Sequence, residues 1–99
     1  MTIQEIISKL NDINEDATVF AKSIDGEFQA TSSVALVELT EDEKSLPTVK
    51  IAKLKCPGYE YFMEVFLIKE FVGDLLAANP RMEIQDRVAQ LIDYVKYDA

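Results

Sequence analysis

Between Tyr59 and Asn79 the spacing of bulky apolar side chains changes period, and the fold has to accommodate that change in one stretch. The first half alternates, with Tyr59, Tyr61, Met63 and Val65 on one face and Glu60, Phe62, Glu64 and Phe66 on the other, as in a pleated strand. The second half puts Ile68, Phe71, Val72, Leu75 and Leu76 at i, i+3, i+4, i+7 and i+8, the single stripe of an amphipathic helix. The pattern predicts a strand that passes into a helix near Leu67 and runs to Ala78. No other stretch concentrates as much apolar volume, so the remaining elements are expected to pack against it. Gly73 falls inside that helix, where glycine costs roughly 1 kcal/mol relative to alanine, and close approach of another backbone is the expected reason.

The chain before it reads in order. Thr2 and Glu5 have the spacing of a capping box, and Ile3, Ile6, Ile7 and Leu10 form one stripe, so a short first helix is expected. The polar run Asn11 to Asp16 ends it, because Asn and Asp side chains compete for backbone partners. Ala17 to Lys22 reads as a strand, Asp25-Gly26 as a tight turn, and Gly26 to Ser33 as a polar connection with a brief extended piece at Glu27 to Gln29. Val34 to Leu39 is nearly all apolar, which predicts a strand covered on both faces and placed inside the sheet. Thr40 to Ser45 reads as an acidic solvated loop. Pro47 to Lys55 is expected to be a short helix capped by Ser45, with an edge strand as the alternative. Pro57-Gly58 then turns the chain into what should be the central strand.

Past Ala78, Asn79 is expected to cap a last helix with Pro80 in its first position. Ile84, Val88, Leu91, Ile92 and Val95 make its stripe, and Glu83 and Arg87 have i, i+4 spacing for an ion pair. The sum is an α+β fold. A small sheet of three strands, or four if an extended piece joins it, is packed by an N-terminal helix and a C-terminal helix pair. The 99 residues suit one domain spanning 1–99.

Charge and composition narrow the function classes. Charged residues interrupt every apolar run, so no membrane span is expected, and the start of the chain lacks the basic-then-apolar order of a signal peptide. A cytoplasmic location is the expectation. The net charge of −8 disfavours binding to a nucleic acid backbone, and it suits a basic protein partner or plain solubility. Lys50, Lys53 and Lys55 beside Tyr59 and Tyr61 are read as a solvated edge. Cys56 is the only cysteine and the chain has no histidine, so neither an internal disulfide nor a Cys–His nucleophile is available. Cys56 is read as an unreactive, partly buried thiol, although Lys53 and Lys55 are near enough in sequence to lower its pKa.

Several segments together resemble a group of small, uncharacterised bacterial and phage-associated domains. They are Asp16 to Phe20, Val34 to Leu39 ahead of the acidic loop, Tyr61 to Val65 leading into Ile68 to Val72, and the close from Leu91 to Ala99. Val95 stands where that group tends to carry a second aromatic after the residue at Tyr94. The resemblance implies the same fold and brings no established activity.

No catalytic, cofactor or metal site is assigned. Nitrogen and sulfur ligands are too few for zinc or copper, the three glycines are isolated, and the acidic run lacks the oxygen spacing of a calcium loop. Glu60 and Glu64, if they share a sheet face, are the one carboxylate pair to weigh as acid and base. The leading expectation is a non-catalytic interaction module of inhibitor or immunity type. Its partner-binding residues are Glu41, Asp42 and Glu43, or Tyr94 and Tyr97 near the end of the last helix. Glu15, Asp16, Asp25 and Glu27 are expected to gather with the acidic run at one end of the sheet. The alternatives are a carboxylate enzyme or small-ligand binder, and a homodimer that buries the two tyrosines.

Overall fold

A computed structural model describes residues 1–98, with the side chain of Asp98 outside the description; Ala99, the last residue of the resemblance, lies beyond it. In chain order the elements are α1 (Ile3–Ser8), a 3₁₀ turn (Leu10–Asp12), β1 (Ala17–Ala21), β2 (Val34–Glu38), α2 (Glu41–Lys44), α3 (Thr48–Lys55), β3 (Glu60–Glu64), α4 (Val65–Ala78) and α5 (Ile84–Asp98). The fold is α+β. The three strands form one antiparallel sheet in the order β2-β1-β3.

β1 is central because all five of its residues are buried, apolar residues alternating across two cores. Two expectations are corrected here. Val34 to Leu39 does not sit inside the sheet: β2 is an edge strand, with Ala35, Val37 and Leu39 packed on one face and Leu36 left 41% exposed on the other. β3 is likewise an edge strand. An apolar strand needs cover on both faces only where helices lie over both, and α1, α4 and α5 do not reach across Leu36.

Those three helices cover one face of the sheet and bury the larger core, which runs through Ile6, Val19, Phe62, Ile68 and Leu91. α3 covers the opposite face over a smaller core of Phe20, Ile51, Ala52 and Cys56. Thr2 caps α1 through the expected box with Glu5. The Asp25-Gly26 turn forms with both residues at positive φ, 53° and 82°, the geometry that suits the twist of a two-residue hairpin. In the following connection Phe28 packs edge-on to Phe62 at 5.1 Å, and Ser32, fully buried, accepts from the Gln29 amide at 2.8 Å. Glu27 makes only an isolated bridge to Ile24, so no fourth strand joins the sheet among the described residues.

The passage from strand to helix occurs as expected, two residues earlier than Leu67: Glu64 ends β3 and Val65 begins α4. The acidic run is helical rather than a loop, because Thr40 and Glu43 make a second capping box of the kind seen at Thr2 and Glu5. α3 is a helix with Pro47, not Ser45, at its N-cap. Gly73 is exposed with open space around it, so no backbone approaches. Asn79 closes α4 and accepts from the Arg81 amide at 3.3 Å, which makes a turn; α5 starts only at Ile84. The Glu83 carboxylate accepts from the Gln85 side chain, Arg87 reaches Glu83 only through its backbone amide, and no ion pair joins the two side chains among the described residues.

Candidate functional site

One irregularity in β3 determines which side chains meet. Val19 of β1 pairs with Met63 and Phe20 pairs with Tyr61, so Phe62 is an extra residue, a bulge. Strict alternation would put Tyr61 and Glu64 on opposite faces. With the bulge both lie on the α3 face, beside Phe20 and Thr18, and the Tyr61 hydroxyl donates to Glu64 Oε2 at 2.5 Å. Burial, and then the neighbouring Glu64 carboxylate, push the Tyr61 phenol far above its ordinary pKa, so it remains a donor at every physiological pH. The same bulge puts on opposite faces the two carboxylates weighed as an acid/base pair. Glu60 pairs with Ala21 on the large-core face and Glu64 with Thr18 on the other, and the Ser23 hydroxyl donates to Glu60 at 3.4 Å.

Beside this pair is a cavity of about 350 Å³ between the sheet, α2 and the start of α3. Phe20, Leu39, Leu46, Ile51 and Phe66 supply apolar wall, and Thr18, Tyr61, Glu64, Glu15, Asp16 and Lys44 supply polar groups. The antiparallel register explains the gathering: the start of β1, the end of β2 and the end of β3 lie at the same end of the sheet. Glu15, Asp16 and the acidic helix α2 therefore do converge. Asp25 and Glu27 do not, since they follow the other end of β1.

Of the residues expected to bind a partner, Glu41 and Asp42 are exposed on α2, with Glu41 3.3 Å from Lys44. Glu43 is engaged internally. Lys55 Nζ stands 2.8 Å from its carboxylate, and the bond to Lys55, followed by the one to the Thr40 amide, holds the carboxyl below the usual range. Tyr94, 43% exposed, packs on Phe71 with ring centres 4.9 Å apart. Tyr97 is 75% exposed and carries the Lys96 ammonium 5.5 Å above its ring, while Lys96 also pairs with Glu27 at 3.0 Å.

Tyr94 belongs to a second feature, a groove of about 460 Å³ along the outer side of β3. Leu67, Phe71 and Tyr94 line it with Phe62 and Met63, and Glu70 and Asp74 rim it. On the other face of the same strand a groove of about 510 Å³ is bounded by Val49, Ala52, Tyr59 and Lys53. Between the two, β3 has no strand neighbour on its outer side among the described residues. Sequence reasoning missed Leu67, Phe71 and Thr18. The first two were legible as surplus width in the apolar stripe of α4, whereas the role of Thr18 depends on the bulge, which has no sequence signal here.

Cys56 is buried, and its burial raises the thiol pKa, so it has the character of a packing residue. Among the described residues no group of three or more His, Cys, Asp or Glu side chains is arranged to hold a metal ion, and no helix is long and apolar enough to cross a membrane. Comparisons with family models, with curated proteins and with solved structures each return no match.

Proposed function

We propose that the protein is a non-catalytic, cytoplasmic interaction module that takes an extended, basic segment of another protein onto the free edge of β3. The single observation that carries this is the pairing of an unsatisfied strand edge with a groove on each of its faces. A strand added to a sheet gains main-chain hydrogen bonds and sends alternate side chains to opposite faces. Residues entering the α4–α5 groove meet Leu67, Phe71 and Tyr94 below Glu70 and Asp74, which suits long side chains with an apolar stem and a cationic tip. Residues entering the other groove meet Val49, Ala52 and Tyr59, which suits aliphatic side chains. The exposed Glu41 and Asp42 and the net charge of −8 add long-range steering toward such a partner. A reduced, buried Cys56 is at home in a reducing compartment.

Self-association through the same edge is disfavoured by charge. Two β3 strands aligned antiparallel about Phe62 would set Glu60 of each copy against Glu64 of the other, and like charges directly opposite destabilise a strand pair. The test is titration with a short capped peptide alternating lysine and valine, followed by amide exchange. Protection appearing at Glu60 to Glu64, lost when the peptide backbone is N-methylated and weakened by Glu70→Lys with Asp74→Lys, supports the reading. Unchanged exchange along β3, or equal binding of a glutamate–valine peptide, overturns it.

A further inference from the structure

We infer that the cavity at the acidic end of the sheet is a separate binding site for a small organic cation, an ammonium or guanidinium group on a short aliphatic stem. Its volume of about 350 Å³ lies within the range of small-molecule sites, which are mainly apolar with a few placed polar groups. Phe20 and Ile51 line the apolar part and suit a hydrocarbon stem. Three carboxylates, Glu15, Asp16 and Glu64, line the cavity against the single ammonium of Lys44, which stands 3.3 Å from Glu41. An anion would meet net repulsion there.

Two features go beyond a collection of acidic residues. Thr18 lines the cavity from the α3 face of β1; the residue is only 7% exposed, and its hydroxyl, unpartnered among the described residues, is open to the cavity and can accept from a ligand N–H. Glu64 is half-buried and accepts the Tyr61 hydroxyl on one oxygen, which fixes the carboxylate while leaving the other oxygen free to accept from a cation. Tyr61 and Phe66 add aromatic wall, and a cation near an aromatic ring gains further when water is partly excluded.

The test uses the full chain and four probes with one stem: n-butylammonium, n-butylguanidinium, n-butanol and pentanoate, titrated by calorimetry with amide shifts as the map. The expected result is saturable binding of the two cations, about tenfold or more tighter than n-butanol, since a charged hydrogen-bonded contact is worth that much, with shifts centred on Thr18, Tyr61 and Glu64. Glu64→Gln weakens the cations and leaves n-butanol unchanged. Thr18→Val, matched in shape, weakens them as well and keeps the question answerable if the first variant fails to fold. Asp93→Asn, exposed on α5 across the sheet from the cavity, changes nothing. Pentanoate binding as well as n-butylammonium, unaltered affinity in Glu64→Gln, or shifts centred on Glu70 and Asp74 overturns the inference. Loss of peptide binding at β3 with these results intact would fault the edge reading alone.

Discussion

Single side chains in this protein divide by how completely the fold surrounds them. Ile68 has no exposed surface and sits where α4 meets the sheet, so Ile68→Ala removes buried methylenes and leaves a hole. A loss of about 2–5 kcal/mol is expected. Tyr97→Ala, at 75% exposure, is expected to stay within about 0.5 kcal/mol of the parent. Urea midpoints of the two variants check both figures. Glu43 makes the acid limb of stability testable. Its folded-state pKa lies below the unfolded value, first through Lys55 and then through the Thr40 amide, so its contribution is complete above the ordinary carboxylate range and is lost as pH falls through the folded value. The destabilisation caused by Glu43→Gln should therefore be constant near neutrality and shrink below about pH 4.5. Urea midpoints of parent and variant measured down the acid range give the answer, and a gap that widens toward acid would contradict this account.

At the scale of elements, α4 carries a correctable flaw. Gly73 is helical, exposed and surrounded by open space. Gly73→Ala should raise stability by up to about 1 kcal/mol, through helix propensity and a less disordered unfolded chain, seen as a higher melting temperature at unchanged secondary structure. Helices were the elements most legible in sequence. Ile68 and Val72 announce the buried side of α4, and Thr2 with Glu5 announces the start of α1, because these are short-range patterns. Thr40 with Glu43 carried the same signal; the density of charge after it suggested solvated loop, but a capped single turn tolerates charge well. Strand placement was not legible. Whether Val34 to Glu38 lies inside a sheet depends on which strand has both flanks occupied, and β1 claims the centre through contacts distant in sequence. The bulge at Phe62 was hidden for the same reason, and with it the meeting of Tyr61 and Glu64 that shapes the cavity. Of the expected partner residues, Tyr94 could be recognised as surface, but its companions Leu67 and Phe71 become a groove only once the edge of β3 is known to be free.

The whole molecule is organised around one shared strand. β1 gives Val19 to the larger core and Phe20 to the smaller, so neither layer keeps its floor if the other is lost. Unfolding should be a single transition. Cys56 reports on the α3 side and far-ultraviolet dichroism chiefly on the helices of the other side. The urea dependence of Cys56 labelling should therefore coincide with the loss of dichroism, and labelling that rises well before it would show that α3 detaches on its own. The absence of any connecting residue between Glu64 and Val65 has a consequence for how the chain can change length. The phase of α4 is geared directly to the pleat of β3, so one inserted residue there would spin the helix by about 100° and swing Ile68 and Val72 outward. The hairpin tip at Asp25-Gly26 has no such gearing, and insertions and deletions should be tolerated there while being intolerable at the junction.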